Sequence, residues 1–196
     1  MNSGLCAGCG KQVTSYDMVQ FGSEPEGYHE LCTQCFNVTV ATTLGMNSPE
    51  NPQFAPASLV DHAGVRHTFH FQFRLLGTGV SLEAFELDDE GPSGHQFRIY
   101  GDSNGDSFTL FANLIAKIRR TLSIQHLVDG THGTQIADHG IVRGQIECDP
   151  DCDDYSPLLV IDGRKVTLEE FGKMLSVYEG WRFKLVIREF DEDGSS

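Results

Sequence analysis

His67, Thr68, Phe69, His70, Phe71, Gln72, Phe73 and Arg74 are the stretch that decides the fold class. Phe69, Phe71 and Phe73 lie on one side and Thr68, His70, Gln72 and Arg74 on the other, the period of two expected of a half-buried strand. Gly77, Thr78 and Gly79 turn the chain, and residues 80–87 return it, with Leu82, Ala84 and Glu86 alternating against Phe85 and Leu87. A third strand is expected over residues 96–100, after a polar loop at 88–94. The period then lengthens to that of a helix. Asp106 or Ser107 caps it, and Phe108, Phe111, Leu114, Ile115, Ile118 and Leu122 form its apolar stripe. Lys117, Arg119 and Arg120 complement the dipole at its C-terminal end.

Further along, residues 134–137 and 141–147 read as a hairpin around Asp138, His139 and Gly140. Residues 158–161 and 165–166 flank an Asp162-Gly163 turn. Thr167 and Glu170 have the spacing of a capping box, which opens a helix with Leu168, Phe171, Met174, Leu175 and Tyr178 on its buried stripe. A closing strand is expected from Trp181 to Phe190, with Phe183, Leu185 and Ile187 opposite Arg182, Lys184, Val186 and Arg188. The expected fold class is α+β: an antiparallel sheet over residues 60–190 carrying two helices on one face, followed by an acidic tail at 191–196.

Upstream, residues 46–59 hold Pro49, Pro52 and Pro56 and no apolar period. Each proline fixes its own φ and biases its predecessor toward extended backbone, so this linker should hold residues 1–45 apart from the main domain. Those first residues contain Cys6-Ala7-Gly8-Cys9 and Cys32-Thr33-Gln34-Cys35, two C-x-x-C knuckles with 22 residues between them. That interval suffices for a hairpin that folds one pair back onto the other, giving four thiolates for one Zn2+. Two disulfides or a redox pair are the alternative, and belong to an oxidising compartment. The polar start Met1-Asn2-Ser3-Gly4 has neither the basic nor the apolar region of a secretion signal, which points to a cytoplasmic protein with reduced thiols. A catalytic zinc keeps a coordination position open, whereas Cys6, Cys9, Cys32 and Cys35 close the shell, so the metal is expected to be structural. His29 is read as a solvent-facing hairpin residue. Short strands at 11–13, 18–21 and 28–31 and a helix at 36–44 complete a small treble-clef finger.

Leu5-Cys6-Ala7-Gly8-Cys9-Gly10-Lys11 and Leu31-Cys32-Thr33-Gln34-Cys35-Phe36-Asn37 resemble the four-cysteine zinc-binding domain at the N-terminus of ClpX-type unfoldases, over residues 5–45. In that family the finger dimerises and recruits adaptors or substrates, and the resemblance therefore implies a protein-binding role. No G-x-x-x-x-G-K-[ST] phosphate loop follows, so the resemblance does not extend to an ATPase.

The chain of 196 residues carries 14 Lys+Arg against 28 Asp+Glu, and acids outnumber bases in the finger, the middle and the C-terminal part alike. Nucleic acids and anionic membranes are bound largely through Lys and Arg, so both begin repelled. No apolar run approaches the roughly 20 residues of a membrane-spanning helix. His67 and His70 project to opposite faces of their strand and share no metal without another element. His126, His132 and His139 lie in loops without ligand spacing. Asp102, Asn104 and Asp106 imitate a calcium loop but have Ser107 where Gly is required, and the acidic loop around Cys148 and Cys152 gives unreactive thiols. The leading expectation is a zinc-binding, non-enzymatic interaction or regulatory protein with a protein partner. The alternatives are a nucleic-acid-binding regulator, stacking bases on Phe69, Phe71 and Phe73 beside Arg74 and Arg98, and an enzyme with an unrecognised site.

Overall fold

The computed structural model describes residues 3–24, 27–46, 51–89, 91–131, 133–148 and 156–188. Their elements run β1 (Ser3–Leu5), β2 (Gln12–Thr14), β3 (Met18–Ser23), β4 (Gly27–Cys32), α1 (Thr33–Thr43), β5 (Ala57–Val60), β6 (Arg66–Leu75), β7 (Val80–Leu87) and β8 (Pro92–Gly101). After these come α2 (Ser107–Leu122), β9 (Leu127–Gly130), β10 (Gly133–Ile136), β11 (Gln145–Cys148), β12 (Pro157–Ile161), β13 (Arg164–Thr167) and α3 (Leu168–Leu175). The fold is α+β, and every strand pair among the described residues is antiparallel.

The alternating phenylalanines sit in β6, inside a four-stranded sheet of order β5-β6-β7-β8. Phe69 and Phe73 are buried with Leu82, Ala84 and Phe97, and Leu114, Ile118 and Leu122 of α2 close over them. Phe71 packs edge-on against Phe111 at 4.9 Å. These rings are core, so they offer no platform for stacking bases. Asp106 caps α2 by accepting from the amides of Phe108 and Thr109, and Asp102 accepts from the amide of Asn104; the carboxylates that imitate a calcium loop are a cap and a turn. One member of the expected stripe is corrected: Phe108 is exposed, and Ser107 is the buried residue of the first turn. The inward line runs 107, 111, 114, 118 and 122, and position 108 lies about 100° away from it.

The finger does not stand apart. By strand alternation Gln72 and Phe85 face away from α2, and there they meet the turn at Ser15–Asp17: Tyr16 lies edge-on to Phe85 at 5.6 Å, and the Gln72 amide donates to the Tyr16 carbonyl and to Thr33 Oγ1. Asn37 of α1, 1% exposed, makes the decisive contact. Its Nδ2 donates to the Phe73 carbonyl at 2.9 Å and its Oδ1 accepts from the Leu75 amide at 2.8 Å. β5 pairs with β6 only as far as Phe69, so the Asn37 amide takes the place of a strand along the remaining edge. Ala41 joins the sheet core directly. The Pro-rich stretch, expected to be a spacer, packs as well: Asn51 bonds to Asn37 and to the Gln34 carbonyl, and Phe54 stacks on Phe111 at 4.4 Å. Prolines fixed the backbone as extended, but one aromatic ring and one amide between them supply the contacts that cancel the separation. Residues 47–50 of that stretch lie outside the described residues.

The expected single sheet with two helices on one face is also corrected. α3 packs on a second, three-stranded sheet of order β11-β12-β13, around a separate core of Leu127, Ile136, Ile161, Val166 and Met174. Each helix covers its own sheet because each amphipathic face is filled by the strands nearest in sequence. The turn between β12 and β13 is as expected, with Asp162 at φ 49° and Gly163 at φ 71°. β10 pairs with β9, and β11 with β12, instead of pairing with each other around residues 138–140. Leu168 and Leu175 are exposed, leaving Met174 as the buried residue of α3. The capping box at Thr167 and Glu170 is formed in both directions. Thr167→Ala should cost about 1 kcal/mol in urea-induced unfolding, and no loss would mean that the cap bonds are replaced by water.

The expected closing strand is not formed over its described part: residues 181–188 carry no regular structure and pair with no strand among the described residues. Residues 189–196, including the acidic tail, lie outside the described residues, as do His132 and Cys152. No helix among the described residues is long and apolar enough to cross a membrane.

Candidate metal centre

The first knuckle follows β1 and the second bridges β4 into α1, so pairing of β3 with β4 brings the two cysteine pairs together. Met18 pairs with Cys32 at the base of that hairpin, and the Ala7 amide donates to the Glu30 carbonyl, which lays the first knuckle over the end of β4. The Cys6 and Gly10 backbones close the knuckle, with the Gly10 amide on the Cys6 carbonyl at 2.9 Å. Gly10 adopts φ 69°, and a Cβ on Gly8 would come within 3.0 Å of Cys35 Sγ. Both positions therefore need glycine, the first for its backbone angle and the second for close approach.

The sulfurs of Cys6, Cys9, Cys32 and Cys35 all lie within 4.8 Å of one another. Cys9 and Cys32 Sγ are 4.0 Å apart. A tetrahedral zinc with bonds of about 2.3 Å has S···S edges of about 3.8 Å, so the cluster already has the dimensions of an occupied site. The Cys32 amide donates to Cys6 Sγ at 3.1 Å. Burial works against a charge on Cys6, but the amides of Cys32, Cys9 and Gly8 outweigh it and bring the thiol down to about 6. Burial, reinforced by the neighbouring thiols of Cys32, Cys6 and Cys9, pushes Cys35 up to about 12, and burial also raises Cys32. Cys6 is thus the thiol nearest to a thiolate, and a divalent cation bound among the four sulfurs would supply the charge that ionises the others. A small core of Leu31, Phe21, Phe36 and Val13 surrounds the sulfurs. The four cysteines named from spacing are the four the fold assembles; His29 lies away on the exposed part of β4.

A second group was not visible in the sequence. His67 of β6, Glu86 of β7 and His95 of β8 converge at one end of the central sheet. His67 Nδ1 lies 2.8 Å from Glu86 Oε1, and His95 Nδ1 lies 3.0 Å from Glu86 Oε2. Burial opposes ionisation of Glu86, but bonds from the His95 ring, the His95 amide and the His67 ring hold its carboxyl down to about 2. His70, on the opposite face, stacks near Phe85 and takes no part. The signal that was available is Gly94: it precedes His95 at φ 62° and lets β8 bulge against Glu86. His126 is buried and bonded to the Ile141 carbonyl, and Cys148 is exposed at the end of β11.

Three family models match the chain, each described as a domain of unknown function. They cover residues 5–47 (DUF7685), 50–123 (DUF7686) and 126–192 (DUF7713). No curated protein and no solved structure matches it.

Proposed function

We propose that this chain is a cytoplasmic, zinc-stabilised, non-enzymatic interaction protein. Cys6, Cys9, Cys32 and Cys35 hold one structural Zn2+ in a treble-clef finger similar to that of ClpX-type unfoldases, and residues 181–188 are the element that engages a protein partner. The four-thiolate set supports a structural metal because it leaves no ligand position for substrate or water.

The observation that carries the interaction role is the exposure of Trp181, Phe183, Leu185 and Ile187, at 75, 90, 74 and 71%. Four large apolar side chains at alternate positions have the pattern of a strand whose covering surface comes from another molecule. Arg182, Lys184 and Arg188 alternate with them in sequence, in a chain that is otherwise strongly acidic. The partner that fits is a protein with an open sheet edge: apolar on the face that receives Phe183 and Leu185, and bearing carboxylates where the three bases fall.

The test is co-purification with the wild-type chain and with Phe183→Ser/Leu185→Ser, both checked for unchanged circular dichroism. Protein prey lost in the variant and weakened by salt is the expected result. Prey retained by the variant, or released by nuclease treatment, would overturn the assignment. Light scattering distinguishes the remaining occupant: a dimer that dissociates in the variant would assign the strand to a second copy instead.

A further inference from the structure

The cluster at the end of the central sheet has the composition and the supports of a metal site. β7 and β8 pair in register as far as Phe85 and Gln96, and the next pair is Glu86 with Ser93. Gly94 and His95 are left over in β8 as a bulge. Such insertions re-aim a side chain, and this one turns His95 onto the carboxylate of Glu86. A Cβ at Gly94 would lie 2.6 Å from Glu86 Oε2, so glycine is required for that approach.

His67 is held from both sides. Its Nδ1 faces Glu86, and its Nε2 faces Asp61 Oδ2 at 3.4 Å. Asp61 is fixed in turn, its Oδ1 accepting from the amides of Ala63 and Val65 at 2.8 Å each. A carboxylate on the far nitrogen of a histidine is the usual device for orienting a metal-bound imidazole. Gly163 of the β12–β13 turn lies against the His95 ring, where a Cβ would come within 2.5 Å of Nδ1.

We propose that His67, Glu86 and His95 form a second metal site, separate from the cysteine cluster, with Asp61 as its orienting carboxylate. Its donors are two imidazole nitrogens and one carboxylate, a set suited to Zn2+ and its first-row neighbours and not to Ca2+ or Mg2+, which prefer oxygen alone. The candidate donor atoms lie within 4.8 Å of one another. Bonds of about 2.0–2.2 Å in a tetrahedron place donors about 3.3–3.6 Å apart, so the present N···O contacts of 2.8 and 3.0 Å must open by about 0.3–0.8 Å to admit the ion. The three side chains are 11–20% exposed, and a water would have to complete the shell of a four-coordinate ion.

Titration of the full chain with Co2+ tests this, because the two sites have different spectra: the thiolate cluster gives sulfur-to-cobalt charge transfer and the histidine site does not. The expected result is two equivalents per chain for the wild type, and one for His95→Gln with the charge-transfer bands intact. Asp61→Asn, which keeps all three ligands, should weaken the second equivalent by about 10–100-fold and leave the first unchanged. It also keeps the test decisive if His95→Gln fails to fold. A wild type that saturates at one equivalent would show that Glu86 is bridged by its histidines as a hydrogen-bonded network only; a folded His95→Gln chain that keeps the second equivalent would place that ion elsewhere, and an Asp61→Asn chain with unaltered affinity for it would overturn the orienting role of Asp61.

Discussion

Cys35→Ser, or removal of the metal by a chelator, should unfold more than the finger. Zinc binding contributes on the order of 10–16 kcal/mol to the folding of finger peptides, and about 40 residues cannot build a core that replaces it. Were the proline stretch a spacer, the loss would end there. It continues because α1 is built into the sheet: without it the Phe73 carbonyl and the Leu75 amide lose their partner, the Gln72 side chain loses Thr33, and the core loses Ala41. The β5–β8 sheet of the metal-free chain should therefore melt at a lower urea concentration, by the equivalent of about 1.5–4.5 kcal/mol, counting three hydrogen bonds exchanged for bonds to water. Tryptophan is of no use as a reporter, since Trp181 lies outside both units; amide exchange at Phe73 and Leu75 reads the sheet directly. An unchanged sheet beside an unfolded finger would show the two to be independent.

Asn37→Leu isolates the same contact without touching a cysteine. Leucine keeps the branch of asparagine at Cγ but is the bulkier side chain, so both bonds to β6 are lost and an overpacking cost of about 1–3 kcal/mol is added at this buried position. Each buried backbone group left without a partner costs about 1–3 kcal/mol, so the two lost bonds give a loss of about 2–6 kcal/mol in urea unfolding. Zinc content should stay at the wild-type value, because Asn37 faces the sheet and not the sulfurs. A loss below 1 kcal/mol with a protected Leu75 amide would mean that the edge of β6 is satisfied in some other way. Asn51→Ala, which removes only the outer bonds to Asn37 and Gln34, is the smaller control.

Periodicity made β6, β7, α2 and the β12–β13 turn legible, because each is specified by contacts or backbone angles local to its own residues. The cysteine cluster was legible for the same reason: two C-x-x-C knuckles of equal spacing with a hairpin-length interval have few ways to close. The pairing of β9 with β10 and of β11 with β12 was not, since alternation marks a strand without naming its neighbour. The C-terminal segment shows the limit most clearly. Trp181, Phe183, Leu185 and Ile187 have as good a strand pattern as β6, yet no sheet among the described residues receives them. Pattern records that a face wants cover, and only the assembled structure shows whether the chain provides it.

By itself, then, the amino-acid sequence determined the α+β class, the helices of the two larger units, the acidic surface and the four sulfurs that can meet around one ion. The tertiary structure alone decided that the finger is part of the sheet, because the side-chain amide of Asn37 bonds to a backbone edge 36 residues away. It alone decided that His67, Glu86 and His95 share a site, because three strands and a two-residue bulge bring them together across distances that no local period encodes.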